Sequence, residues 1–256
     1  MSNTNDVYKI LDENFPYDKA FNYDNSGIIF SLPDTVNKAL VTLDITSEVI
    51  MEAIKEKANL IVSHHPLSLD KITSVSSDKA SNKLLIALIK NNICAISAHT
   101  NLDVAKNGVN DVLATKLHIK KSKVFLDDEG IALGRVGVSE VTSLKDLFTI
   151  IKKELNVDVL KVIECRNDIK NIAVIGGSGS GFIRNAIKAG ADTLITADCK
   201  HSAFLEAKEL NFNLIDAGHY NTEKPVLDML IKLLNNEFKT IDFIKSKANR
   251  DIVKYL

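Results

Sequence analysis

The chain has 256 residues, 45% of them hydrophobic and 25% charged. That balance excludes disorder, collagen-like repeats and low-complexity sequence. Its 32 basic and 33 acidic residues leave a net charge of -1, and arginine occurs only at Arg135, Arg166, Arg184 and Arg250, so no basic field points to a nucleic-acid partner.

Short apolar runs alternate with segments of helical period. Ala39–Leu43 reads as a strand, Ser47–Lys57 as a helix, and Asn59–Ser63 as a strand. A helix over Ala80–Lys90, a strand over Ile93–Ser97 and a helix over Val109–Leu117 follow. Lys120–Lys123 reads as a solvated charged face, and the acidic run Phe125–Gly130 as a seam. Beyond it the pattern predicts a strand over Ile131–Val138 and a helix over Leu144–Leu155. Strands over Ile172–Ile175, Thr193–Thr196 and Asn213–Asp216 then alternate with helices over Gly181–Ala189, Ser202–Leu210 and Thr222–Leu234. The expected fold is α/β with mostly parallel central strands.

The N-terminus, Met1–Lys9, is polar, and the longest apolar runs, such as Leu84–Ile89, fall far short of a membrane span. Cys94, Cys165 and Cys199 are odd in number and lack metal-knuckle spacing. They read as reduced thiols, and the expected location is the cytoplasm.

The sequence is internally duplicated. Ala58-Asn59-Leu60-Ile61-Val62-Ser63 leads into His64-His65, and Ala191-Asp192-Thr193-Leu194-Ile195-Thr196 leads toward His201. A helix and a second strand follow each. Each then ends in H-x-N-x-[D/E], once as His99-Thr100-Asn101-Leu102-Asp103 and once as His219-Tyr220-Asn221-Thr222-Glu223. The predicted organisation is one domain over residues 1–256, with a first repeat of about 1–126 and a second of about 127–256. Loops after parallel strand ends are where such sheets place ligands.

Six histidines occur in the chain, and two are adjacent at His64-His65-Pro66. Pro66 turns the backbone there, so both rings can serve one site. If helices begin at the two motifs, His99 with Asp103 and His219 with Glu223 lie one turn apart on one face. Capping by Asn101 and Asn221 is the plainer alternative, yet it accounts for the carboxylates and not for the histidines. Clustered imidazoles and carboxylates are ligands for first-row divalent ions, without distinguishing Zn, Fe, Mn, Co or Ni. Four histidines and two carboxylates exceed one tetrahedral ion and suit two ions, with Glu223 long enough to bridge.

Gly176–Gly181 fits neither a Walker A loop nor a nucleophile elbow. It reads as a tight strand-to-helix turn, or else as a cradle for a substrate phosphate or a gating loop. In Asp198-Cys199-Lys200-His201, His201 is a candidate catalytic residue beside the metals or the substrate, or an ordinary loop histidine. Asp24 and Asn25 have turn chemistry of their own.

Together these stretches resemble the GTP cyclohydrolase 1 type 2 homologues, the Nif-three-like family. The resemblance rests on Asp24–Gly27, Leu60–Pro66, Ala98–Asp103, Gly176–Gly181, Ile195–Asp198 and Ile215–Glu223, in the family's order and over nearly the whole chain. It implies two interlocked α/β repeats and a dinuclear metal site. The implied ligands are His64, His65, Asp103, His219 and Glu223, with His99 a supporting or proton-transfer residue. It further implies a toroidal homohexamer. The implied activity is opening of the GTP ring by a metal-activated water with loss of formate, with His99 or His201 moving protons. The family name is an inherited label, and a phosphoester or cyclic amide would suit the same ligands. Tyr23 stands where relatives carry Trp, and the seam at Phe125–Gly130 leaves no room for the middle domain that longer relatives insert. A metal-binding scaffold without catalysis is the alternative. A catalytic site would keep an open coordination position.

Overall fold

The polar N-terminal stretch folds as a helix. Asn3 caps it, accepting from the amides of Asn5 and Asp6 while Asp6 accepts from the Asn3 amide. Val7, Leu11 and Phe15 recur every fourth residue and are all buried, so a polar surface hides one apolar stripe. The computed structural model describes residues 2–254.

In chain order the elements are α1 (Thr4–Asn14), β1 (Gly27–Phe30), β2 (Lys38–Thr42), α2 (Ser47–Glu56), β3 (Leu60–Ser63), α3 (Ala80–Lys90), β4 (Cys94–Ser97), α4 (Thr100–Val104) and α5 (Val109–Lys116). Then come β5 (Lys120–Leu126), β6 (Ala132–Val138), α6 (Leu144–Leu155), β7 (Lys161–Ile163), β8 (Asn171–Ser178), α7 (Ile183–Lys188), β9 (Thr193–Ala197), α8 (His201–Glu209), β10 (Asn213–Asp216), α9 (His219–Glu223), α10 (Val226–Glu237) and β11 (Asp242–Lys245). The sequence periods locate most of these to within two residues. The expected last helix over Thr222–Leu234 is instead α9 and α10, divided at Lys224-Pro225. Proline lacks the N–H that a continuous helix requires.

Two compact units form. Of the described residues, one contains 2–105 together with Leu227–Arg250, and the other contains Lys106–Val226 with 251–254. The first holds a sheet of order β1-β4-β3-β2-β11, in which β4, β3, β2 and β11 are parallel and β1 is antiparallel to β4. The second holds β5-β6-β8-β9-β10-β7, with β8, β9 and β10 parallel. Around that centre, β7 runs antiparallel to β10, and β6 and β5 continue antiparallel beyond β8.

The duplication is thus a duplication of topology. The order β1-β4-β3-β2 in one sheet repeats as β7-β10-β9-β8 in the other. The repeats are also interlocked. β11, from the second half of the sequence, extends the first sheet, while α5 and β5, from the first half, belong to the second unit. Repeat and compact unit are therefore different objects. The acidic seam after Phe125 forms the turn of the β5–β6 hairpin, where the Asp127 backbone bonds to Gly130 and Ile131. The lysines of the expected solvated face stay exposed, yet they lie on the edge strand β5. Charge on an edge strand discourages pairing with another chain.

β3 and β4 are buried at every position, as are β9 and β10. Such strands read as continuous apolar runs because both faces of the sheet are covered. Ile61, Ala95, Leu88 and Ile50 meet in one core, and Ile195, Ile215, Leu147 and Ile151 meet in the other. The N-terminal helix belongs to the first unit, where Leu11 is fully buried. Leu11→Ala is expected to cost about 2–5 kcal/mol, read from the urea midpoint at unchanged m-value. A loss under about 0.5 kcal/mol would mean that α1 adds nothing to the fold.

Candidate metal centre

Parallel strands end level with one another, and the loops beyond them hold the polar residues. In the first unit Ser63 of β3 pairs with Ser97 of β4. The residues just past them, His64-His65 and His99, therefore emerge side by side. Their rings pack with centroids 4.7 Å (His64–His65), 5.2 Å (His64–His99) and 5.4 Å (His65–His99) apart. Each offers a ring nitrogen within 4.8 Å of the others. α4 begins immediately after His99, so Asp103 lies one turn on, 3.6 Å from Nε2 of His64.

The second unit repeats the arrangement. Thr196 of β9 pairs with Asp216 of β10, and α9 starts at His219. His219 and Glu223 are one helical turn apart, with Nε2 and Oε1 separated by 3.1 Å, and the Glu223 side chain is only 4% exposed.

The asparagine of each motif is not a helix cap. Asn101 donates to the Phe15 carbonyl at the end of α1. Asn221 donates to the carbonyls of Leu155 and Asn156 at the end of α6. In both repeats it ties the site helix to the end of the first helix of that repeat. The capping alternative is thereby replaced by a duplicated clamp that orients the His and the carboxylate.

All four histidines are held at Nδ1. His64 donates there to the Ala98 carbonyl at 2.8 Å, His65 to Asp44 at 2.8 Å, His99 to Asp24 at 2.9 Å and His219 to Asp198 at 2.7 Å. A carbonyl or carboxylate oxygen can only accept, so each Nδ1 carries a hydrogen and Nε2 is the ring atom left to bind a metal. Metal-binding imidazoles are anchored in this way, through a partner that fixes tautomer and ring orientation. The residues therefore fit divalent ions, with imidazole nitrogen and carboxylate oxygen as donors.

These aspartates carried no site role in the sequence reading. Asp44 lies two residues past β2, and Asp198 directly follows β9. Strand-end position is the signal that would have found both. Asp198 adopts φ +52°, a left-handed conformation that an L-residue accepts reluctantly, and Ser178 Oγ donates to the same carboxylate at 3.0 Å. Asp198→Ala is expected to lower metal affinity by about 10–100-fold with little loss of stability, as read by calorimetric titration. Unchanged affinity would show that Asp198 has no hold on the site.

The glycine-rich segment also differs from expectation. Gly176, Gly177 and Ser178 extend β8 instead of forming a loop. Their amides are spent internally: Gly176 N–H donates to Asn110, Gly177 N–H to Thr222 and Gly179 N–H to Thr196. A phosphate cradle made from those three amides is ruled out. The role of Gly177 is spatial. It has φ +64°, and a Cβ there would overlap Glu223 Oε1 and come within 3.2 Å of His219 Nε2.

His201 is the exposed first residue of α8 and joins neither cluster among the described residues. Cys199 is buried. Its burial, reinforced by Asp216, pushes the thiol up to about 12, so it stays protonated and inert at neutral pH.

The comparisons with known proteins agree with this fold. Residues 2–252 match the family described as Duf34/NIF3 (NGG1p interacting factor 3). A Clostridium perfringens relative called GTP cyclohydrolase 1 type 2 homolog is 34% identical, over 98% of this chain and 99% of its own. A relative of the same name from Methanocaldococcus jannaschii is 33% identical, over 93% and 98%. Among solved structures, a Staphylococcus aureus hypothetical protein superimposes with TM-score 0.88 at 29% identity, covering 99% of each chain. Reduced HcgD from Methanocaldococcus jannaschii superimposes with TM-score 0.83 at 30% identity, covering 96% of this chain and 98% of its own. The chain belongs to the Duf34/NIF3 family. Among the described residues, no helix is long and apolar enough to cross a membrane.

Proposed function

We propose that the chain is a dinuclear-metal-dependent hydrolase that opens the ring of GTP, as the names of its relatives suggest. The observation that carries the reading is the fixing of all four histidines at Nδ1, which leaves Nε2 of each as a donor. The proposed ligands are His64, His65, Asp103, His219 and Glu223. Divalent ions bound there would supply Lewis acidity and a water nucleophile at neutral pH.

The chain's own residues hold and orient. Asp44 and Asp198 fix their histidines, and Gly177 leaves room for Glu223. His99 moves the proton, as a side chain positioned beside the ligands does in general acid–base catalysis. Lys200, exposed at the start of α8, is the proposed contact for the triphosphate. The homohexamer belongs to the same proposal and is read by light scattering.

The test is formate release from GTP by protein reloaded with each of Zn, Fe, Mn, Co and Ni. Metal-dependent release is the expected result. Fully loaded protein that releases no formate from GTP with any of them would overturn the substrate and favour a metal-binding scaffold.

A further inference from the structure

The four anchored histidines are not anchored alike. Asp44 and Asp198 keep about half of their side chains exposed, at 55% and 52%, whereas the Asp24 side chain is 0% exposed. Water competes for the first two carboxylates and not for the third. Asp24 is also saturated with donors. Its Oδ1 accepts from the Asn25 amide at 2.7 Å and from His99 Nδ1 at 2.9 Å. Its Oδ2 accepts from the Thr100 amide at 3.0 Å, the Thr100 hydroxyl and the Ser26 hydroxyl. Burial alone would raise this carboxyl, but the hydrogen bonds from His99, Ser26 and Thr100 outweigh it and hold it below the usual carboxylate range.

Each of those donors comes from the turn that carries Asp24 or from the start of α4. The carboxylate therefore fastens the Tyr23–Gly27 turn to the His99–Thr100 backbone. In doing so it sets the plane of the His99 ring. That ring belongs to the group of three imidazoles, each with a ring nitrogen within 4.8 Å of the others.

We infer that Asp24 is the positioning residue of His99, locking its Nδ1–H tautomer so that His99 serves the reaction as a proton acceptor at Nε2 and not as a donor. The inference rests on the hydrolase reading for the word reaction, and on geometry for the tautomer. The hydrogen bond made by one ring nitrogen decides what the other can do. With Nδ1–H held by a buried anion, the proton that His99 receives must arrive at Nε2. Asp24 itself touches no substrate and acts through the ring.

The tautomer can be read without metal, substrate or turnover, from imidazole nitrogen shifts of the 15N-labelled, metal-free full chain. The wild type is expected to show His99 protonated at Nδ1. Asp24→Ala removes the carboxylate partner that the structure shows at that nitrogen, and His99 is expected to change to the Nε2–H form. Metal content should be retained, while kcat for GTP falls at least ~100-fold at nearly unchanged KM, the share that a positioned acid–base group typically supplies. A wild-type His99 protonated at Nε2 would overturn the inference whether or not the variant folds. So would a folded Asp24→Ala in which His99 keeps the Nδ1–H form. Absence of GTP turnover in the wild type would count against the hydrolase reading and leave the tautomer result standing.

Discussion

Gly177→Ala is expected to destabilise the protein and weaken metal binding, although it adds a single methyl group. Gly177 sits at φ +64°, and its missing side chain is the space that Glu223 Oε1 and the His219 ring occupy. A non-glycine residue in the left-handed region costs about 1–2 kcal/mol. Forcing a methyl into a filled site adds about 1–3 kcal/mol. The combined expectation is roughly 2–5 kcal/mol in urea unfolding, with metal affinity reduced more than 10-fold because Glu223 and His219 must both move. Gly181→Ala is the matched control. A Cβ there has no atom within 4 Å, so stability should stay within about 0.5 kcal/mol of wild type. If both variants behaved alike, the spatial role of Gly177 would be wrong.

Glu223→Ala is the second large effect, and its sign differs between the two forms of the protein. The Glu223 side chain is nearly buried, beside His219 and the backbone of Gly177. In metal-free protein a buried carboxylate is held at a cost in desolvation. Its removal should leave apo stability unchanged or higher. In the presence of metal the wild type gains stability from binding, and the variant should lose that gain. Loss of an orienting residue typically costs about 10–100-fold in affinity, so loss of Glu223, if it ligates as proposed, should exceed that. Differential scanning calorimetry with and without divalent ion reads both effects. An equal metal-induced rise in Tm for both proteins would remove Glu223 from the ligand set.

Much of this was legible in the sequence, for identifiable reasons. β3, β4, β9 and β10 are buried on both faces, so they read as unbroken apolar runs. The motif H-x-N-x-[D/E] places its two outer residues one helical turn apart wherever a helix begins at the His, and helices begin at both copies. What stayed hidden depends on contacts between residues distant in sequence. β11 finds β2 across about 200 residues of chain, a pairing that no local period encodes. α1 escaped notice because a three-residue stripe was diluted by polar neighbours. Asp24 read as a turn residue because its partner, His99, lies 75 residues away. Gly177 read as part of a tight strand-to-helix turn because its reason for being glycine is a carboxylate from another helix. The histidines were visible by type and the residues that aim them were not, since an aspartate after a strand is ordinary until its partner is known.

The central claim is that two sets of anchored donors hold two divalent ions. Metal stoichiometry per chain, measured by inductively coupled plasma mass spectrometry after saturation and removal of loosely bound ions, tests it most directly. The account predicts about two ions per chain, as in two-metal hydrolytic sites. A saturated value of one ion or none would contradict it.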